Sequence, residues 1–163
     1  MSNTNVLYDA AKNGNIVEVE RLVADRNTNV NPEKSPIGVA AADGRADIVK
    51  ILIDADIDIN QGDKSGFTPI SLAILNGRTE IAKMLIDVGA NVNKANVAGR
   101  TPLFWARKEG NTEIVNLLLD NGAREGVASG IRNKMKSRKT KARKFNRKTR
   151  KSNKKSRKSY KRR

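Results

Sequence analysis

The chain has 163 residues, enough for one domain plus an appendage, and carries 33 Lys and Arg against 17 Asp and Glu for a formal net charge of +16. It contains no Cys and no His, which excludes disulfides, thiolate or imidazole zinc sites, and a Cys or His nucleophile or base. The charge is unevenly placed: 19 of the 33 basic residues and none of the 17 acids lie in 127–163, so the first 126 residues hold 14 basic and 17 acidic side chains. A nearly neutral body joined to a strongly cationic segment points to an anionic partner. No basic-then-apolar leader opens the sequence, Ser2 stands where myristoylation needs glycine, and no Cys is available for prenylation. No apolar run nears the roughly 18 residues of a membrane span. A soluble intracellular protein is expected.

Taken in order, the chain repeats itself. A first unit, about 3–32, places Leu7, Ala10, Gly14, Val19, Leu22, Val30 and Asn31 in register with the three later units. The second, about 33–63, reads Ser35-Pro36, Ala40, Gly44, Ile48, Leu52, Ile59-Asn60. The third, about 64–96, reads Gly66, Thr68-Pro69, Ala73, Gly77, Ile81, Leu85, Gly89, Asn93. The fourth, about 97–125, reads Gly99, Thr101-Pro102, Ala106, Gly110, Ile114, Leu118, Gly122. From Pro36 to Pro69 to Pro102 the interval is 33 residues, the mark of a helix-pair solenoid. Between Gly14 and Gly44 it is 30, because the connection near Pro32 is shorter, as suits a terminal unit with one uncovered face.

Each unit spells two helices. Ser35, Thr68 and Thr101 are placed to cap a first helix whose opening residue is proline. Gly44, Gly77 and Gly110 end it, where a positive φ costs glycine nothing. A second helix is expected to be capped by Thr79 or Thr112, with Ala46 at the equivalent place predicting a loss of about 1 kcal/mol there. Apolar residues at Ile81, Met84, Leu85 and at Ile114, Leu117, Leu118 follow helical spacing.

The Gly-x-Thr-Pro-Leu opening, mid-unit Gly, Ile-Val-x-x-Leu-Leu helix and Gly-Ala-x-Val-Asn exit resemble ankyrin repeats over residues 3–125. The resemblance implies an all-α solenoid of four helix-pair units that holds a protein partner, acts without a cofactor and has no catalytic role. It also implies a His after Thr-Pro-Leu that hydrogen-bonds between units; Gly38, Ser71 and Phe104 stand there, so this chain lacks that network. The frequent Asn, Lys and Ile suggest an AT-rich coding genome, and the short array with a basic tail is similar to ankyrin proteins of large DNA viruses, protozoa and intracellular bacteria.

After Glu125 a linker is expected, with 127–133 either linker or a helical stub in which Ile131 and Met135 cover the apolar end of unit four. A fifth unit would need Pro near Met135. From 134 to 163, 18 of 30 residues are Lys or Arg, too little apolar surface to offset ordering entropy, so a disordered tail is expected.

Competing chemistries fail on spacing. Asp54, Asp56 and Asp58 begin like a calcium loop, but Ile59 and Ser65 stand where its Gly and Glu belong. Repeat register explains them better: Asp56 takes the place of the helix-ending Gly89, a backbone Asp tolerates. No phosphate loop or dinucleotide fingerprint is present.

Superposing units gives columns. Val39, Leu72 and Trp105 share one, Lys34, Phe67 and Arg100 a second, Ala42, Leu75 and Lys108 a third. By resemblance these line a concave face, where Phe67, Leu72 and an exposed Trp105 form an anchor patch flanked by Arg100 and Lys108; the alternative is that Trp105 packs against a neighbouring loop or the helical stub. In the tail, Lys144, Arg147, Lys148, Arg150, Lys154, Lys155, Arg157, Lys158, Lys161, Arg162 and Arg163 supply cations for nucleic-acid phosphates or an import receptor, with Phe145 and Tyr160 able to stack on bases. Attachment to anionic membrane has no lipid site or apolar helical face to assist it. Arg138-Lys139-Thr140, Arg150-Lys151-Ser152 and Arg157-Lys158-Ser159 place hydroxyls where phosphates would remove positive charge. The expectation is therefore a monomeric, non-enzymatic adaptor, binding a protein through its repeats and nucleic acid through its tail, in the nucleus rather than the cytoplasm. The rival is a nucleic-acid packaging or chromatin-associated protein whose repeats are a spacer.

Overall fold

The computed structural model describes residues 6–25 and 34–126. Within them lie eight helices and no strand: α1 Val6–Asn13, α2 Ile16–Ala24, α3 Pro36–Asp43, α4 Ala46–Asp54, α5 Pro69–Leu75, α6 Thr79–Asp87, α7 Pro102–Lys108 and α8 Thr112–Asp120. They form four consecutive pairs. Helices α1, α3, α5 and α7 stack as one layer, and α2, α4, α6 and α8 as a second. This is the expected all-α solenoid. The expected stub at 127–133 and disordered tail at 134–163, and the loop at Pro32, lie outside the described residues.

The core is a ladder of equivalent side chains. Ile37, Ile70 and Leu103 from the first helices are fully buried, as are Leu52, Leu85 and Leu118 from the second. Each such side chain contributes about 1.5–3 kcal/mol by leaving water. Ala40, Ala73 and Ala106 are buried to zero exposure, and a side chain ending at Cβ lets neighbouring first helices approach. Helix ends follow backbone chemistry: Gly44, Gly77 and Gly110 have φ of 81°, 67° and 71°, and Asp56, at 55°, is the non-glycine residue with positive φ among the described residues.

The caps depart from expectation in a consistent way. Ser35 Oγ accepts from the Gly38 amide (3.0 Å) and Thr68 Oγ1 from the Ser71 amide (3.4 Å). Thr101 Oγ1 makes no such bond and is buried without a partner. The amide it would take, that of Phe104, donates instead to the Thr101 carbonyl (3.0 Å), which tightens the first turn. The second helices are capped one residue earlier than expected. Asn15, Arg45, Arg78 and Asn111 hold the cap positions, and Thr79, Thr112 and Ala46 are first helical residues. The expected cost of Ala46 as a cap therefore does not arise.

Asn15 and Asn111 cap with their own side chains, accepting from Glu18 and Ile114 amides (both 3.1 Å). Arg45 and Arg78 make no cap bond and reach back to the preceding unit instead. Arg45 Nη2 donates to the Lys12 carbonyl (2.9 Å) and Arg78 Nε to the Ala42 carbonyl (3.2 Å). At the last junction Asn111 Nδ2 donates to Thr79 Oγ1 (3.0 Å). Loops are tied as well: Asn60 Oδ1 accepts from the Asn91 amide and Asn93 Oδ1 from the Arg124 amide, both at 2.7 Å. These bonds join units in a chain without the histidine network. At its positions, Leu72 Cδ1 packs against Gly38, Ser71 Oγ accepts from Thr68 Oγ1 within its own unit, and Phe104 meets Arg100 and Trp105.

Candidate protein-interaction surface

The side chains singled out from the columns lie on or beside the first-helix layer, and short turns set their positions. Asp63 Oδ1 accepts from the Ser65 and Phe67 amides (both 2.9 Å), fixing the turn that presents Phe67. One repeat later, Asn96 Oδ1 accepts from the Ala98 and Arg100 amides (both 3.0 Å) and presents Arg100. The Val97 amide donates to the Ser65 carbonyl (3.0 Å), holding the two turns side by side. Asp and Asn suit this position because their short side chains reach backbone amides two and four residues on.

Trp105 is not the exposed anchor that its column suggested. It is 4% exposed, enclosed by residues from two units. Phe67 lies 5.4 Å from it between ring centroids at 41°, and Phe104 lies 5.1 Å away edge-on at 89°. The Arg100 guanidinium stands 5.3 Å from the indole centroid and 5.1 Å from that of Phe104. Lys108 Nζ is 5.1 Å from the indole centroid. An aromatic floor attracts cations through its quadrupole, so Trp105 is covered partly by the charges expected to flank it. Its Nε1 is buried without an acceptor.

Of the other column residues, Val39, Phe67, Leu72 and Leu75 are half-buried, while Arg100 and Lys108 are exposed. Val39, Phe67 and Leu75 pack against the core. The structure thus brings Phe67, Arg100, Trp105 and Lys108 together at the α5–α7 edge, with Leu72 and Val39 further along the layer. Column reasoning missed Phe104, because it occupies the place of the absent histidine. It also missed Tyr8, which carries Lys34 Nζ 5.0 Å from its ring centroid; that unit departs most from the repeat. The tail residues Lys144 to Arg163 lie outside the described residues.

The charge around the cluster is one-sided. Helices α5 and α7 contain no acid, and Arg107 in α7 pairs with Glu125 (2.7 Å). Arg100 and Lys108 have no ion-pair partner among the described residues. The second layer differs: α2, α4, α6 and α8 together hold eight acidic and three basic side chains. There Lys83 Nζ joins Glu80 (3.1 Å) to Glu113 in the next unit (2.8 Å). The hydrogen bond that Lys83 donates to Glu113, then that to Glu80, holds its pKa above the usual value. Among the described residues no group of three or more His, Cys, Asp or Glu could hold a metal ion, and no helix is long and apolar enough to cross a membrane.

Comparison with known families settles what these units are. The family model for ankyrin repeats in three copies matches residues 7–96 and again 63–129. The chain belongs to the ankyrin-repeat family. The two ankyrin matches overlap across the third unit and between them run from α1 past α8. No curated protein matches the chain. Ankyrin repeats are a protein–protein interaction module, and the family is typically non-enzymatic.

Proposed function

We propose that this ankyrin protein is a non-enzymatic adaptor with two attachments: a protein partner held by the first-helix layer, and a nucleic acid or import receptor held by the cationic segment. The observation that carries the reading is the division of charge, 19 Lys and Arg without one acid in 127–163 beside a body with 14 basic and 17 acidic side chains. Cations at that density bind phosphate backbones without reading sequence. Lys154-Lys155-Ser156-Arg157 also suits an import receptor, which supports a nuclear location. Joining two contacts in one chain raises the effective concentration of each for a shared complex.

Fluorescence anisotropy with labelled DNA and RNA tests the second attachment. Contact with about 6–10 phosphates predicts a fall in affinity of roughly 10³–10⁵ between 50 and 200 mM salt. Removing 134–163 should abolish that binding and leave protein capture intact under nuclease treatment. If truncation also ends every protein interaction, the repeats are a spacer in a packaging protein and the adaptor reading is wrong.

A further inference from the structure

We infer that the corner built by Phe67, Arg100, Phe104, Trp105 and Lys108 is a docking site for an acidic peptide segment of the partner protein. The inference rests on the reading of the repeats as a partner-holding module and names the chemistry of what is held. Three observations converge on it.

First, two exposed cations stand over one indole, Arg100 at 5.3 Å and Lys108 at 5.1 Å from the ring centroid. Second, neither is neutralised by a carboxylate among the described residues, although other cations are: Arg107 in the same helix as Lys108 pairs with Glu125, and Lys83 in the second layer bridges Glu80 and Glu113. Third, the pair is preorganised. Arg100 lies over both Phe104 and Trp105, and its backbone amide is fixed by Asn96. A guanidinium already held over aromatic rings loses less freedom when its planar fork closes on a carboxylate. Two unpaired, prepositioned cations above an apolar floor complement Asp or Glu side chains whose neighbours contact the half-buried Phe67.

A nucleic acid fits this corner less well. Base stacking needs an open aromatic face, whereas Trp105 is buried and Arg100 lies over Phe104.

Trp105 is the only tryptophan in the chain, so its emission reports this corner even though the cations of 127–163 also take up acidic peptide. The full chain is titrated with an octapeptide of alternating Asp and Glu, with its Asn and Gln counterpart, and with a twenty-nucleotide oligothymidine. Expected are a saturable emission change with the acidic peptide, none with the neutral one, and affinity at least about tenfold weaker after Arg100→Gln with Lys108→Gln, from the loss of two charge-assisted contacts. Arg100→Lys with Lys108→Arg should retain binding, and circular dichroism should show both double variants helical. An unresponsive Trp105, unchanged affinity in the Gln variant, or a larger response to oligothymidine overturns the assignment. Protein capture separates two failures. A partner still held by the Gln variant overturns the acidic-peptide site and leaves the adaptor; no partner for either chain overturns both.

Discussion

The two helices of a repeat begin by different means. Helices α3 and α5 open from within, with Ser35-Pro36 and Thr68-Pro69 closing the first turn on their own amides. Helices α4 and α6 open at Arg45 and Arg78, which leave their own first turns uncapped and donate to carbonyls of the unit before. A solenoid is stable only when each unit binds its neighbour well enough to offset weak intrinsic stability. First helices α3 and α5 are thus made locally secure, and the interior second helices α4 and α6 give up local capping for coupling between units.

The largest test of that contrast asks whether side-chain packing outweighs both devices. Leu85 is fully buried between units, and Leu85→Ala should cost about 2–5 kcal/mol in urea unfolding. A value near that of a surface change would show that polar ties, not the core, hold the stack.

Glycine separates the junctions more finely. Gly14 and Gly77 both have positive φ, at 75° and 67°. A Cβ at Gly14 would stand 1.9 Å from Arg45 Nη1, whereas nothing lies within 4 Å of one at Gly77. Both substitutions to Ala should cost about 1–2 kcal/mol for the left-handed backbone. Gly14→Ala should cost about 0.5–1.5 kcal/mol more, because the Arg45 side chain must leave the Lys12 carbonyl. That excess should vanish when Arg45→Ala is already present, which a double-mutant cycle reads directly. Equal costs for both glycines would remove Arg45 from the junction.

At Arg78 the two devices can be exchanged. Arg78→Ala should lose about 0.5–1.5 kcal/mol with the bond to Ala42. Arg78→Asn should recover about 1 kcal/mol through a cap like that of Asn111, yet unfold less cooperatively because the tie is still missing. An Asn variant as cooperative as the parent would deny the arginine its coupling role.

The smallest effect concerns pH. Lys83, its pKa raised by Glu113 and Glu80, adds stability that is fully present below its unfolded pKa and lost as pH rises through the higher folded value. Glu18, lowered chiefly by its hydrogen bond from Arg21, behaves oppositely: its contribution is lost as pH falls through the depressed folded value. Both groups are only half-buried at the surface, so the differences in Tm between the parent and Lys83→Met or Glu18→Gln should appear only at low ionic strength. Persistence of either difference in 1 M salt would contradict this assignment.

The sequence by itself determined the number of units, the order of their helices and where most of those helices end. These depend on single residues repeated at a fixed interval: a proline opens a turn, and a glycine, or Asp56 in its place, accepts positive φ whatever surrounds it. It did not determine which residue caps a second helix, because Thr79 and Thr112 serve equally well as a cap or as the next residue in. Nor did it determine the arginine ties or the burial of Trp105. Arg45 finds its acceptor 33 residues away and Arg78 finds one 36 away. Trp105 is covered by Phe67 from the preceding unit together with Arg100 and Lys108 from its own. Such outcomes rest on distances between units, and those exist only once the helices have stacked.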